Sequence, residues 1–252
     1  MSVLSVENLE KSYSGFQAVK DVSFSLQPGE MLALIGPNGA GKSTCFNMIN
    51  GQLAPSAGRV RMFGRDVTGL SARDIWRLGV GRTFQIAATF GSMTVAENVQ
   101  AALISHRGRP FALRWAARYF VREANDLLDW VGMVEQGDRS CGELAYGDVK
   151  RLELAIALAN DPKLLLMDEP AAGMAPSERG ALMSLVVRIA RERQVGVLFT
   201  EHDMDAVFGH ADRILVLNRG VLIAEGSPAM VRANAEVQAV YLGAGSLFGT
   251  SP

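Results

Sequence analysis

A glycine-rich stretch, GPNGAGKST, is the strongest chemical signal in the sequence and follows the apolar run Met31–Ile35. An apolar strand, a glycine-rich turn and a helix start bind phosphate well, because backbone N–H groups can approach the oxygens and the helix N-terminus adds positive charge. Lys42 is expected to reach the β- and γ-phosphates, and the Ser43 hydroxyl to bind Mg²⁺. The stretch therefore predicts a nucleoside triphosphate site. Its residues are Gly36, Pro37, Asn38, Gly39, Ala40, Gly41, Lys42, Ser43 and Thr44.

Two adjacent carboxylates, Asp168 and Glu169, follow the apolar run 164–167. Next to a triphosphate, the first acid is expected to hold Mg²⁺, directly or through water. The second acid is placed to polarise the water that attacks the γ-phosphate. An acid pair after a strand is more often a solvated turn, but the phosphate loop upstream favours the catalytic interpretation.

Two further polar residues, Gln85 and His202, come just after predicted buried strands. Ligands of parallel α/β sheets bind at the carboxyl ends of the strands. Gln85 is therefore expected to contact Mg²⁺ or the attacking water, and His202 to contact the γ-phosphate. A lone glutamine or histidine is usually an ordinary surface residue, and it is their shared placement that favours function.

Gly147 opens another helical stretch, within the segment GELAYGDVKRLELA. A glycine at a helix start leaves backbone N–H groups accessible, which suggests a second phosphate contact. Taken alone this signal is weak.

The pattern around these motifs predicts the α/β class with a mostly parallel sheet, because buried strands alternate with helices. Short alternating runs before residue 35 predict an antiparallel β subdomain, and residues 92–140 show helical spacing without a strand pattern. We therefore expect a single domain over residues 1–252. Its predicted parts are a core (1–90 and 147–230), an inserted α-helical subdomain (92–146) and a C-terminal helix and tail (231–252).

Four helix features are specific enough to test. Ser71 and Thr94 are expected to cap helices, with acidic residues in the first turn of each. One helix is predicted over residues 111–131 after a break at 108–110, and one over residues 229–241.

The composition excludes several classes of protein. A formal net charge of −1 gives no overall attraction to nucleic acid, and no apolar run approaches the roughly 18 residues of a membrane span. The N-terminus lacks the features of a signal peptide. Cys45 and Cys141 are too few for a disulfide framework and lack metal-binding spacing, so reduced, buried thiols are expected. These features predict a cytoplasmic location, and any action on a membrane would then go through partners.

Together these motifs resemble the nucleotide-binding subunit of ATP-binding cassette (ABC) transporters, over nearly the whole chain. The resemblance implies a P-loop NTPase core, ATP and Mg²⁺ as ligands, and roles for single residues. Gly36–Thr44 is similar to the Walker A loop, and Leu144–Asp148 to the family signature, in which Ala145 and Gly147 contact nucleotide. The remaining implied roles are adenine stacking for Tyr13, the Q-loop glutamine for Gln85, the Walker B aspartate for Asp168, the catalytic glutamate for Glu169 and the switch histidine for His202.

Three positions depart from the family pattern. Ala145 stands where the signature usually has serine, Asp148 where it has glutamine, and Ala175 where an aspartate commonly reaches across a dimer. The retained Gly147 implies tempered rather than absent activity. The alanine at 175 puts the strength of coupling between two sites in doubt.

The finer resemblance is to the ATPases of branched-chain amino acid importers. It is carried by residues 82–85, 144–147, 171–174 and the tail 239–243. Urea and amide importers share much of this pattern, and lipopolysaccharide-export ATPases share the tail. A soluble, non-transport ABC ATPase is less consistent with a solitary cassette that has no long heptad stretch and no CxxC motif.

The resemblance also implies partners. Family members work as head-to-tail dimers with ATP between Walker A and the other subunit's signature, so a homodimer or a heterodimer with a second ABC ATPase is expected. Transmembrane permease subunits are the direct partners, a periplasmic solute-binding protein is an indirect one, and no nucleic acid is expected. The implied location is peripheral, at the cytoplasmic face of the inner membrane.

One feature of the inserted region stands outside these motifs. Aromatic and basic residues each recur every fourth position, and on a helix they form neighbouring rows. We favour aromatics packed within the subdomain and solvated arginines, but a face toward the permease or anionic headgroups is the alternative. The rows are Phe111, Trp115 and Tyr119, and Arg114, Arg118 and Arg122.

Overall fold

The computed structural model describes residues 1–83, 89–107 and 119–242. Within these ranges the strands form two sheets. The strands are β1 (Leu4–Tyr13), β2 (Phe16–Leu26), β3 (Met31–Ile35), β4 (Ala57–Met62), β5 (Arg65–Asp66), β6 (Val80–Thr83), β7 (Leu164–Asp168), β8 (Gly196–Thr200), β9 (Arg213–Asn218) and β10 (Val221–Gly226).

The larger sheet has the order β10-β9-β3-β8-β7-β6. Every neighbouring pair is parallel except the hairpin of β9 and β10. The carboxyl ends of β3, β7 and β8 therefore lie at one edge of the sheet. This confirms the predicted α/β class with a mostly parallel sheet.

The central strand β3 is apolar and buried at every position, because both faces of the sheet are covered. In β3, Met31, Ala33 and Ile35 join a core cluster with the helices of the second half of the chain. The alternating residues Leu32 and Leu34 join a second cluster, beneath the smaller sheet. Strand β3 thus packs into both core clusters, and this packing fixes the position at which the phosphate loop begins.

The smaller sheet is antiparallel, in the order β2-β1-β4-β5, and confirms the predicted β subdomain. Strands β1 and β2 meet in a hairpin whose turn residues, Ser14 and Gly15, both have positive φ. Tyr13 pairs with Phe16 across this turn.

The helices of the described ranges include both predicted caps. The Ser71 side chain accepts from the backbone N–H of Asp74, and Thr94 and Glu97 form a reciprocal capping box. The helices are α1 (Lys42–Ile49), α2 (Ala72–Arg77), α3 (Val95–His106), α4 (Val121–Trp130), α5 (Tyr146–Leu158), α6 (Pro176–Arg193), α7 (Met204–His210), α8 (Pro228–Ala233) and α9 (Ala235–Leu242). None of these helices has the length and apolar content needed to cross a membrane.

Two helix predictions were wrong in part. The helix predicted over 111–131 is not continuous among the described residues: α4 begins at Val121, and Phe120 before it takes a left-handed conformation with φ 58° that a helix interior excludes. The predicted aromatic and basic rows are therefore not continuous through Arg122. Their members at 111, 114, 115 and 118, and the predicted break at 108–110, lie outside the described residues.

The helix predicted over 229–241 is divided at Asn234 into α8 and α9. The Asn234 side chain accepts hydrogen bonds from the N–H groups of Glu236 and Val237, at 2.9 and 3.1 Å, and so caps the second helix. The predicted boundary before residue 231 falls inside α8. Helix α7, which follows His202 in the chain, was not predicted.

Candidate active site

In the loop that follows β3, the main chain packs directly against the main chain of neighbouring segments. Gly36 has φ 154°, and a Cβ there would lie 2.2 Å from the carbonyl oxygen of Leu217. Gly41 has φ 102°, and its Cβ would lie 2.6 Å from the carbonyl oxygen of Ala18. Both positions exclude a side chain, so the glycines at these two sites are required by packing as well as by conformation.

Lys42 is the first residue of α1 and is buried. Its ammonium donates to the carbonyl oxygens of Gly36 and Pro37, at 2.7 and 3.2 Å. Burial lowers the pKa of Lys42, and the negative charges of Glu169 and Asp168 oppose that shift. The loop thus holds a cation at its centre, as a polyphosphate site requires.

A cleft of about 480 Å³ opens over this loop. It brings together the ends of β3, β7 and β8 and the hairpin of β1 and β2. Its lining residues are Tyr13, Phe16, Ala18, Asn38, Gly39, Ala40, Gly41, Lys42, Ser43, Thr44, Asp168, Glu169, Thr200 and His202.

Asp168 ends β7 and is paired in register with Thr200, at the end of β8. The Thr200 hydroxyl donates to Asp168 Oδ1 at 2.6 Å, and the Glu169 N–H donates to Thr200 Oγ1 at 3.1 Å. Thr200 therefore orients both acids. Thr200 was not predicted, although its position at the end of a buried strand, two residues before His202, was a usable signal.

Glu169 and His202 meet at the mouth of the cleft. Glu169 Oε1 lies 2.8 Å from His202 Nε2, and about half of the imidazole remains exposed. A carboxylate held by an imidazole next to a phosphate loop can accept a proton from a water, while the imidazole can contact a phosphate oxygen. The arrangement fits hydrolysis of a terminal phosphate.

Aromatic side chains line the end of the cleft where the adenine is predicted to bind. Tyr13 and Phe16 are exposed, at 45% and 68%, and face each other across the hairpin turn. The ammonium of Lys11 lies 5.3 Å from the centre of the Tyr13 ring. An exposed tyrosine here is consistent with the predicted stacking on adenine. Phe16 was not predicted.

The predicted signature residues lie apart from this cleft. Ala145 precedes the first turn of α5 and is exposed, and the Gly147 position faces the Glu178 carboxyl group, 3.5 Å from where a Cβ would be. Neither residue is among those that line the cleft. Gln85 lies outside the described residues.

The donor set fits Mg²⁺ and a triphosphate. Ser43 supplies an exposed hydroxyl beside Lys42, and Asp168 supplies a carboxylate that lines the same cleft. Oxygen donors of this kind suit Mg²⁺, which usually binds through one or two protein ligands and the phosphates themselves. Ser43 and Asp168 are the described residues that would hold it.

Comparison with known proteins agrees with this site. A family model described as "ABC transporter" matches residues 19–172, and one described as "Branched-chain amino acid ATP-binding cassette transporter" matches residues 221–246. The branched-chain amino acid transport ATP-binding proteins BraF of Pseudomonas aeruginosa and LivG of Escherichia coli are each 38% identical to this chain, over 96% of it and 98% of their own length. A probable LivG of Archaeoglobus fulgidus is 35% identical over 97% of this chain and 96% of its own.

Solved structures give the same result. A nucleotide-free ATP-binding cassette from an ABC transporter superposes with a TM-score of 0.84, at 32% identity over 96% of this chain and 99% of that one. An ATP-binding cassette in its ADP conformation gives a TM-score of 0.85, at the same identity and coverage. These matches confirm the predicted fold and family. The chain belongs to the ABC transporter family and is one of its ATP-hydrolysing, nucleotide-binding subunits.

Proposed function

We propose that this chain hydrolyses ATP to power the import of branched-chain or related amino acids through separate membrane permeases. The observation that carries the hydrolytic part is the meeting of Glu169 and His202 over the phosphate loop. The assignment of branched-chain amino acids as the transported substrate is supported by the names of the relatives and by the match of residues 221–246 to the branched-chain family model.

ATP binding is the first step of the proposed cycle. The triphosphate lies along the loop of residues 36–44, where backbone N–H groups and the α1 N-terminus bind phosphate oxygens. The Lys42 ammonium, which now donates to two carbonyl oxygens, binds the phosphates instead. Tyr13 stacks on the adenine ring.

Hydrolysis follows at the γ-phosphate. Glu169 accepts a proton from the attacking water as its oxygen forms a bond to phosphorus and the bond to the ADP oxygen breaks. His202 holds Glu169 through the 2.8 Å contact and binds a γ-phosphate oxygen. Ser43 and Asp168 would hold Mg²⁺, which would neutralise charge on the phosphates.

A second subunit completes the site in this proposal. Ala145 and Gly147 lie outside the cleft of their own chain, at an exposed helix start whose N–H groups are suited to phosphate. Head-to-tail pairing brings this helix start over the triphosphate bound to the other subunit. The partner is a second copy or a second ABC ATPase.

A groove on the surface of this chain is the proposed docking site for the permease. A mostly apolar groove of about 350 Å³ lies between α2, β6 and α5, beside the end of β6 that leads to Gln85. Trp76, Ile75 and Ile156 line it together with Arg82, which donates to Gln52 at 3.2 Å. We propose that a permease segment enters this groove and holds the chain at the cytoplasmic face of the inner membrane. A periplasmic solute-binding protein then acts only through the permease.

The transport proposal is tested by uptake in the source organism. A strain that lacks the gene for this chain receives the wild-type chain, Glu169→Gln, or Glu192→Gln, which changes an exposed carboxylate on α6. Uptake of radiolabelled leucine at nanomolar concentration is expected to fall at least tenfold on deletion. The wild type and Glu192→Gln restore it, and Glu169→Gln does not.

Other outcomes identify the alternatives. If leucine uptake is normal in the deletion strain but urea or amide uptake is lost, the amino acid assignment is wrong. Loss of lipopolysaccharide delivery to the cell surface instead would indicate an export system. If no transport changes, the transport proposal itself fails.

A further inference from the structure

The mechanism above leaves one buried acid beside the site without a role. Glu201 lies between Thr200 and His202 and is only 4% exposed. Its Oε1 accepts a hydrogen bond from the Ala171 N–H at 2.9 Å, and its Oε2 accepts one from the His202 N–H at 3.3 Å. Burial raises the pKa of Glu201, and these two bonds and the charge of Arg179 oppose that shift. A carboxylate in this position needs both bonds to be tolerated.

The two N–H groups that Glu201 holds belong to the two chain segments that carry the reacting pair. Ala171 is two residues after Glu169, and His202 places its ring 2.8 Å from the Glu169 carboxylate. Glu201 therefore closes a ring of contacts that runs from Glu169 to Ala171 and back through His202. Because both bonds go to main-chain atoms, they fix the separation of the two backbones.

The backbone of Glu169 requires such support. Glu169 has φ 49°, a left-handed conformation that is strained for a residue with a side chain. On one side its N–H group donates to the carbonyl oxygen and hydroxyl of Thr200, both at 3.1 Å. On the C-terminal side of Glu169, the hydrogen bond from the Ala171 N–H to the Glu201 carboxylate holds the chain in place.

A second acid beside His202 reinforces the same connection. Asp203 forms an ion pair with Arg179, and Arg179 donates to the Met174 carbonyl oxygen at 3.1 Å. Asp203 also caps α7 through the Ala206 N–H at 2.8 Å. The residues before and after His202 are thus both connected to the segment that follows Glu169.

We infer that Glu201 is a positioning residue for ATP hydrolysis, which holds the main chains of Glu169 and His202 at their working separation. This inference rests on the proposed function of that pair. Glu201 is too far into the core to touch nucleotide in the cleft, since it does not line it. Its loss should lower turnover and leave nucleotide binding intact.

The test compares purified wild-type protein with Glu201→Ala and Glu201→Gln in steady-state ATP hydrolysis and in ATP binding. Glu201→Ala is expected to lower kcat at least tenfold with KM and the Kd of ATP within threefold. In Glu201→Gln, the amide oxygen still accepts one hydrogen bond, but the amide NH₂ group faces the His202 N–H, and two donors cannot form a hydrogen bond. We therefore expect kcat to fall three- to tenfold. If the alanine variant does not fold, the glutamine variant decides.

Glu30→Ala is the matched control, because Glu30 also accepts a backbone N–H, that of Gln27 at 2.7 Å, and an Arg213 donor at 2.8 Å. It lies outside the cleft and should lower Tm without changing kcat. Glu201→Ala should lower kcat by a smaller factor in a His202→Ala background than in the wild type, because the separation that Glu201 fixes matters less once the His202 ring is gone. A purely structural role would multiply the two losses.

The inference is overturned if kcat stays within twofold of wild type in both Glu201 variants, if KM rises with kcat unchanged, or if Glu30→Ala loses as much kcat. The proposed function fails separately. It is rejected if Glu169→Gln keeps wild-type turnover, whatever the Glu201 variants do.

Discussion

The Nε2 atom of His202 lies 2.8 Å from the Oε1 atom of Glu169, although the two residues are 33 positions apart in the chain. Their strands explain the contact. β7 and β8 are parallel neighbours in which Asp168 pairs with Thr200, so the residues just beyond both strands emerge side by side. The sheet thus brings an acid and an imidazole together at the edge where the phosphate loop begins.

Thr200→Val should weaken the use of Mg²⁺. The hydroxyl of Thr200 orients Asp168 and accepts the Glu169 N–H, and valine has the same shape without the oxygen. We expect a loss of about 1–3 kcal/mol in unfolding free energy and a several-fold rise in the Mg²⁺ concentration for half-maximal ATP hydrolysis. Thr200→Ser keeps the hydroxyl and is the control. An unchanged Mg²⁺ titration in Thr200→Val would contradict this role.

Two glycine substitutions should change stability in opposite directions. Gly36→Ala places a Cβ 2.2 Å from a carbonyl oxygen, so we expect at least about 2 kcal/mol of lost unfolding free energy and loss of ATP binding. Gly180→Ala lies inside α6 with no atom within 4 Å of the added Cβ, and should gain about 0.5–1 kcal/mol with unchanged turnover. Urea denaturation measures both. Equal stability of the two variants would be inconsistent with the packing described for the loop.

Cys45 should be inert in the folded protein. Burial raises the pKa of its thiol to about 12, from 9.0. The unfolded thiol therefore ionises first as pH rises, and this group lowers stability between about pH 9 and 12. In a Cys141→Ser variant, which has Cys45 as its single thiol, iodoacetamide at pH 8 should react at least a hundredfold more slowly in buffer than in urea. Rapid alkylation of the folded protein would show that the thiol is accessible.

Much of this site was predictable from sequence because its chemistry lies in contiguous motifs at strand ends. Periodicity located β3, β7 and β8, and their parallel pairing then placed Lys42, Asp168 and His202 together. Thr200 and Glu201 were not found, because their position near the end of a buried strand indicates the edge of the site but not which residues of the neighbouring strand they contact. Their partners, Asp168 and Ala171, lie about 30 residues earlier in the chain.

The errors in the fold have a similar origin. Apolar spacing continues through Phe120, yet the chain turns there in a left-handed conformation that periodicity does not report. The same spacing predicts that Asn234 lies inside a helix, although its side chain caps α9. In both places one residue has a non-helical backbone conformation, although the apolar spacing on either side of it is helical.

The most direct test of the account compares phosphate release and ATP binding in the wild type, in Glu169→Gln and in the exposed control Glu192→Gln. We expect Glu169→Gln to bind ATP with an affinity within threefold of wild type and to release phosphate at least about a hundredfold more slowly, since the base is lost. Glu192→Gln should match the wild type in both. Wild-type phosphate release by Glu169→Gln would contradict the central claim that this carboxylate, held by His202, activates the attacking water.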